Sequence, residues 1–191
     1  MKRLKLNLNK VMRGLAALAI VASAGAAQAA LLDGKTVSFT YLLPTINVDY
    51  PSSANGNYVV GAGVEISNGF CCGYEGTLNL SDTNILADFI ASSAYNSAVF
   101  SGFRISDVNS TIGDFTGVTI NGLTNMVGFN ASRVTFDANN IWVNLQSLAF
   151  THNTFVSLDI NGGNQVPEPA GIALLALGLL AASAAGRRSR N

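Results

Sequence analysis

The only two cysteines of the chain, Cys71 and Cys72, are adjacent and lie between Gly69 and Gly73. An oxidising compartment would permit a disulfide. Neighbouring Cα atoms are about 3.8 Å apart, below the usual disulfide range, so a bond between them closes a strained small ring. Three outcomes are open: a vicinal disulfide, two free thiols, or a bond to another chain. Because the flanking glycines predict a turn, where such a ring costs least, we favour the vicinal disulfide in a structural role.

The chain has few other residues that could bind a metal or act in catalysis. His152 is the only histidine, and two cysteines with one distant histidine do not supply the four ligands of a structural zinc site. We therefore predict no metal and no cofactor. The neighbours of His152, Thr151 and Asn153, are typical of an exposed hairpin tip, where a catalytic base is poorly oriented. Since no G-x-S-x-G, H-E-x-x-H, P-loop or dinucleotide motif occurs, we expect no enzyme, and a hydrolase using paired carboxylates is the third hypothesis.

Trp142 is the sole tryptophan, and it lies on the side of its strand opposite Ile141, Val143 and Leu145. By fold-level analogy, a sugar-binding sandwich stacks a pyranose on such a ring, so Trp142 is our candidate glycan contact. Buried tryptophans are more common than binding platforms. Because Leu148 continues the same face, we expect Trp142 to pack between two sheets.

Charge is strongly segregated along the chain. The formal net charge is zero, but residues 30–166 hold three basic and ten acidic residues, and three minus ten gives −7. Nucleic-acid binding needs lysine and arginine to displace counterions from phosphates, so this segment argues against nucleic acid as a partner. An acidic surface is compatible with a polysaccharide matrix or divalent cations. More often it only keeps an exported domain soluble.

The middle of the chain alternates apolar and polar residues, and it shows no sustained helical period. Turn residues separate the alternating runs, and we expect hairpins at 137–140 and around His152-Asn153. Residues 83–95 fit a strand followed by a loop. Short strands at spacings of about ten residues predict an all-β fold, an antiparallel β-sandwich of about eight to ten strands. The alternating runs are 37–43, 58–66, 141–145 and 156–160, and the Asn-Gly turns are 55–56, 68–69, 121–122 and 161–162.

The N-terminal segment has the three parts of a signal peptide. A basic leader precedes an apolar core, Gly14 to Ala24, and Ala27-Gln28-Ala29 offers the small residues that a signal peptidase reads. We predict a signal peptide helix at 1–29, cleaved after Ala29, and hence export. Residues 30–165 then form the ectodomain.

The C-terminal segment consists of Pro167-Glu168-Pro169, an apolar run from Ala170 to Gly186, and Arg187-Arg188-Ser189-Arg190. The prolines lack amide donors and fix φ, which holds Glu168 in an extended, accessible backbone. As a helix the run would be about 25 Å long, slightly short of a hydrocarbon core of about 30 Å. We predict a transmembrane helix at 170–186. The basic tail at 187–190, with Arg187, Arg188 and Arg190, would stay on the cytoplasmic side.

This order of parts resembles the PEP-CTERM sorting signal of Gram-negative bacteria, over Val166 to Asn191. The resemblance implies that an exosortase, a membrane transpeptidase-like enzyme, reads Pro167, Glu168 and Pro169. It also implies transient anchoring in the inner membrane and delivery to the cell surface or extracellular matrix.

The expected partners are therefore exosortase, signal peptidase, the inner membrane and exopolysaccharide. Residues 30–165 resemble no family. We expect a structural or interaction protein of the surface or exopolysaccharide matrix, and the alternative is a carbohydrate-binding module that recognises exopolysaccharide.

Overall fold

The computed structural model describes residues 30–72 and 75–163, which belong to one compact unit, Ala29–Val166. These residues form eleven strands and one short 3₁₀ turn, Ala131–Arg133. The strands are β1 (Thr36–Leu42), β2 (Gly56–Val59), β3 (Gly76–Ser81), β4 (Asn84–Phe89), β5 (Ser93–Ala94), β6 (Gly102–Asp107), β7 (Phe115–Ile120), β8 (Val134–Phe136), β9 (Asn140–Asn144), β10 (Ala149–Phe150) and β11 (Phe155–Gly162).

The strands pair in antiparallel fashion in three sheets. A five-stranded sheet has the order β2-β1-β6-β9-β8, a four-stranded sheet has the order β3-β4-β11-β7, and β10 pairs with β5. The two larger sheets contribute to one hydrophobic core. Phe70 contacts both, with ring centroids 5.5 Å from Phe89 of β4 and 6.0 Å from Phe103 of β6. The prediction of an antiparallel all-β fold is confirmed.

Alternation explains which side chains enter the core. In β9, Ile141 and Val143 are fully buried, whereas the residues that alternate with them, Asn140, Trp142 and Asn144, are only partly buried. The strand predicted within residues 83–95 is β4. The strand count exceeds the predicted eight to ten because β5 and β10 have two residues each, too few for a period to be detected.

The predicted turn at 137–140 is confirmed as the hairpin between β8 and β9. The Asp137 carboxylate accepts hydrogen bonds from the backbone N–H groups of Asn139 and Asn140, each at 2.8 Å. Slight burial opposes ionisation of Asp137, but these hydrogen bonds and one from the Asn140 amide hold its pKa below the ordinary value. The hairpin is therefore closed by a charged carboxylate acting as a turn acceptor.

One predicted turn and one predicted hairpin are wrong. Asn161-Gly162 continues β11 with a register shift against β7, and Gly162 is accommodated because its missing Cβ leaves room for Leu31. His152-Asn153 lies in a turn between β10 and β11, but those strands belong to different sheets, so no hairpin forms.

The strand predicted over residues 58–66 is also wrong beyond Val59. Gly61 donates its N–H to Oε1 of Glu65 at 3.1 Å, which bends the chain into a loop. Ile66 then bridges to Leu78 of β3. The chain thus leaves the five-stranded sheet for the four-stranded one, and a period of two does not reveal such a crossing.

No helix among the described residues is long and apolar enough to cross a membrane. The predicted signal peptide (1–29), the Pro167-Glu168-Pro169 motif, the predicted transmembrane helix (170–186) and the basic tail lie outside the described residues.

Candidate functional site

A pocket of about 280 Å³ lies where the end of β1 meets the small β5-β10 sheet. Its ionisable lining is unusual for so small a space, because it combines three phenols, two thiols and one carboxyl group. These come from Tyr41, Tyr50, Tyr95, Cys71, Cys72 and Glu75.

The thiol and carboxyl groups form one cluster. The Sγ atoms of Cys71 and Cys72 are 2.7 Å apart. The ligand atoms of Cys71, Cys72 and Glu75 all lie within 4.8 Å of one another. The N–H of Cys71 donates to Oε2 of Glu75 at 2.8 Å, which fixes the carboxylate beside the sulfur pair. Sequence reasoning missed Glu75, although its position four residues after Cys71 was visible.

The backbone at Cys72 determines the direction of its thiol. Cys72 has φ 60, a left-handed conformation that is uncommon outside glycine. Its N–H donates to the carbonyl of Ser52 at 2.9 Å, which ties the turn to the preceding loop. Cys71 is buried and Cys72 is exposed, so one sulfur belongs to the core and the other faces solvent.

The predicted disulfide between Cys71 and Cys72 remains a prediction. Both residues are free thiols in this structure. Their sulfur separation of 2.7 Å is longer than the 2.03–2.05 Å of a disulfide bond, and only a small displacement separates the two states.

Burial favours the neutral forms of Cys71 and Glu75. It raises the pKa of the Cys71 thiol, and the hydrogen bond with Cys72 and the nearby Glu75 carboxyl group add to the rise. Burial also raises the pKa of Glu75, although the hydrogen bond from the Cys71 N–H partly offsets this. A desolvated carboxyl group is thus placed beside two sulfurs with no cation to neutralise it among the described residues lining the pocket.

Two buried tyrosines form the floor of the pocket. The Tyr41 hydroxyl hydrogen-bonds to Oγ of Ser101 at 3.0 Å. The Tyr95 ring packs on Phe150 with centroids 5.2 Å apart, and the residue is 8% exposed. Its hydroxyl is buried and has no hydrogen-bond partner among the described residues. Burial raises the pKa of both phenols, so Tyr95 keeps a proton that no described residue accepts.

A second candidate surface is the outer face of the five-stranded sheet. The strand registers place Thr40, Arg104, Trp142 and Thr135 in one row across β1, β6, β9 and β8. Arg104 donates to Oγ1 of Thr40 at 3.4 Å, while its buried Nε has no partner among the described residues. The neighbouring row is polar, and in it the Ser106 hydroxyl donates to Oδ1 of Asn140 at 2.7 Å.

The prediction that Trp142 packs between two sheets is wrong. Trp142 is half-buried on the outer face, because Ile141 and Val143 on either side of it occupy the core. Leu148 does not continue the face of Trp142, since β9 ends at Asn144 and Leu148 follows a turn. Trp142 is therefore partly exposed at the surface of the sheet.

His152 is exposed in the turn after β10, and its ring makes no hydrogen bond to any described residue. It lies apart from the pocket, whose lining contains no histidine among the described residues. The cysteine pair therefore lines the pocket, Trp142 lies on the outer face of the five-stranded sheet, and His152 lies at neither place.

Comparison with known proteins identifies the C-terminal segment. Residues 165–190 match the PEP-CTERM protein-sorting motif, which confirms the resemblance stated for Val166 to Asn191. No curated protein and no solved structure matches the chain. The motif implies an exported protein that is processed by exosortase and sorted at the membrane toward the cell surface. The middle region has no assigned family.

Proposed function

We propose that residues 30–165 form a non-enzymatic antiparallel β-sandwich that acts as an interaction component of the cell surface or exopolysaccharide matrix. The observation that carries this proposal is the sorting motif at residues 165–190, because a protein sorted in this way operates at the surface. The acidic balance of residues 30–166, −7 from three basic and ten acidic residues, fits a soluble exported domain.

The roles of the carboxylates support a non-catalytic ectodomain. Asp107 accepts hydrogen bonds from the N–H groups of Asn109, Thr111 and Ile112, at 3.1 to 3.3 Å. Asp82 accepts from the N–H groups of two residues at the start of the described region. These carboxylates satisfy backbone donors in loops, as structural acceptors do.

Asp159 on β11 has the same kind of role. Its carboxylate accepts from the side-chain amides of Asn84 and Asn121, at 2.9 to 3.0 Å. These bonds link β4, β11 and the end of β7 across the outer face of the four-stranded sheet. A carboxylate with two fixed amide donors stabilises the sheet and is poorly placed to exchange protons with a substrate.

Cell fractionation tests the surface role. The full chain should accumulate in the surface or extracellular-matrix fraction, and removal of exopolysaccharide should release it. Retention in the inner membrane of a cell with active exosortase would contradict the proposal. Recovery of the full chain in the soluble cytoplasmic fraction would also contradict the proposal.

The second candidate function is recognition of exopolysaccharide by the outer face of the five-stranded sheet. The placement of Trp142 favours it, because a partly exposed tryptophan beside Arg104 and polar side chains offers a stacking surface and hydrogen-bond donors. A polysaccharide pull-down with the full chain tests this function. Trp142→Ala should reduce capture at least about tenfold, the usual range for loss of a central aromatic anchor.

Phe136→Ala is the matched control for that pull-down. Phe136 is a 42% exposed aromatic residue on the edge strand β8 and lies outside the row of Trp142. Its substitution should leave capture unchanged. Equal losses for the two variants would indicate nonspecific hydrophobic adsorption and contradict recognition through Trp142.

A further inference from the structure

We propose that Cys71, Cys72 and Glu75 bind a thiophilic divalent cation, with Zn²⁺ as the best match, in the dithiol form of the protein. Three potential ligand atoms already lie within 4.8 Å of one another. Cys71 and Cys72 are adjacent, and the hydrogen bond from the Cys71 N–H holds the Glu75 carboxylate beside them.

The donor set selects the metal class. Zn²⁺ accepts both thiolate sulfur and carboxylate oxygen, whereas Ca²⁺ and Mg²⁺ require oxygen ligands. Two sulfurs and one carboxylate make three protein ligands. Zinc sites with three protein ligands keep a fourth position for water. The absence of a fourth protein ligand, which argued against a closed structural zinc site, is therefore compatible with an open site.

Tyr95 provides an independent indication that the pocket holds a ligand. Its hydroxyl is buried without a hydrogen-bond partner among the described residues, although the residue is only 8% exposed. Tyr95 and the three ligand residues line the same pocket of about 280 Å³. A water molecule in the fourth position of the metal would offer this hydroxyl the partner that it lacks.

The cation also accounts for the buried carboxyl group. Glu75 is 7% exposed and Cys71 is 4% exposed. A buried carboxylate is costly unless a cation or several donors compensate it. The Glu75 carboxylate accepts the Cys71 N–H, and among the described residues no lysine or arginine lines the pocket. A bound divalent cation would offset two of the three negative charges carried by the Glu75 carboxylate and the two thiolates.

Binding requires one local rearrangement. Two sulfurs on a tetrahedral zinc ion are about 3.8 Å apart when each Zn–S bond is about 2.3 Å. The observed separation is 2.7 Å, so one sulfur must move outward by about 1 Å. Cys72 is exposed and can make this movement by rotation about χ1 without disturbing the core. A Cys71–Cys72 disulfide would use the same sulfurs, so the disulfide and metal-bound states exclude each other.

Zinc titration of the full chain, purified in detergent with a phosphine reductant, tests the site. A chromophoric zinc chelator serves as competitor, and we expect one Zn²⁺ per chain. Co²⁺ in place of zinc should give a thiolate-to-metal charge-transfer band. Glu75→Gln and Cys72→Ser should each weaken zinc binding at least about tenfold, since each removes a ligand.

Glu65→Gln is the matched control. Glu65 is also a partly buried glutamate whose carboxylate accepts backbone N–H groups, from Gly61 and Leu80, and it lies outside the cluster. Its substitution should leave zinc affinity within about twofold of the original. If Glu75→Gln does not fold, Cys72→Ser still tests the site because Cys72 is exposed.

Tyr95→Phe tests the fourth position. Without zinc, this variant should be at least as stable as the original, because it removes a buried hydroxyl with no partner. With zinc, its affinity should fall about threefold to tenfold, since the metal-bound water loses a partner. Absence of stoichiometric zinc, or equal affinity for the original chain, Glu75→Gln and Cys72→Ser, would overturn the proposal.

Discussion

The backbone N–H of Cys71 donates a 2.8 Å hydrogen bond to Oε2 of Glu75, which closes the loop that carries the only two cysteines. The same loop is tied to its surroundings by the hydrogen bonds from Cys72 N–H to Ser52 and from Ile90 N–H to Glu75. The cysteine pair is therefore held beside the pocket by one backbone-to-side-chain and two backbone–backbone hydrogen bonds.

The first prediction concerns the redox state of Cys71 and Cys72 after export. Because the two sulfurs are 2.7 Å apart and the chain is exported, an oxidising compartment should convert the metal-free cysteine pair to a vicinal disulfide. Intact-mass measurement of the exported protein should show a loss of two hydrogens, and non-reducing gels should show no covalent dimer. Two alkylatable thiols or a disulfide-linked dimer would contradict this prediction.

The second prediction concerns the pH dependence of stability. Burial raises the pKa of Glu75, so the folded protein holds this proton more tightly than the unfolded chain does. The stability contribution of the neutral carboxyl group is full below the ordinary glutamate pKa of about 4.3 and is lost as pH rises through the folded value. In metal-free, reducing buffer, the melting temperature of Glu75→Gln relative to the original should therefore rise with pH.

Asp137 supplies a control of opposite sign for that measurement. Its pKa is lowered by hydrogen bonds in the hairpin, so its contribution is present at neutral pH and is lost as pH falls. Asp137→Asn should thus be most destabilising near neutrality. Parallel melting curves for the Glu75→Gln and original proteins between pH 4 and 8 would refute the assignment of a raised Glu75 pKa.

The third prediction concerns packing at the centre of the five-stranded sheet. A Cβ on Gly102 of β6 would collide with the backbone carbonyl of Val143 on β9. Because that neighbour is backbone, it cannot move without disturbing the strand pair, and Gly102→Ala should cost about 3 kcal/mol of unfolding free energy. Gly63→Ala is the control, since a Cβ there meets no atom within 4 Å. Urea unfolding measures both, and similar values would contradict the predicted close approach.

The fourth prediction concerns Trp142. Since it is half-buried on the outer face of its sheet, Trp142→Ala should cost well under the roughly 3 to 5 kcal/mol typical of a core tryptophan. Its fluorescence should be accessible to acrylamide and should respond to added exopolysaccharide. A strongly blue-shifted emission that resists quenching would show that Trp142 is buried, and it would contradict sugar recognition through this residue.

Local sequence patterns predicted strands well but predicted their partners poorly. Alternation identified β1, β9 and β11, and Asp137 to Asn140 identified the β8–β9 hairpin, because both signals act between near neighbours. After Val59 the chain passes from the five-stranded to the four-stranded sheet, and the turn at His152 joins β10 and β11, which belong to different sheets. Both features depend on long-range strand pairing, which an alternation of apolar and polar residues does not encode.

The same distinction applies to the candidate sites. The cysteine pair was visible in the sequence, whereas the approach of Tyr95 to Cys71 and Glu75 arises from tertiary packing. For Trp142, the alternation already placed it opposite the apolar side chains of β9. The error was to assume a second apolar layer there, because the cross-strand neighbours of Trp142 on that face are the polar residues Arg104 and Thr135.

The most direct test of the whole account is the fate of a chain in which Pro167, Glu168 and Pro169 are all replaced by alanine. These residues lie within the matched sorting motif at 165–190, so their loss should prevent recognition by exosortase. Cell fractionation should find the triple variant retained in the inner membrane. His152→Ala, a change at an exposed turn, should reach the surface like the original chain. Normal surface delivery of the triple variant would contradict sorting by this motif.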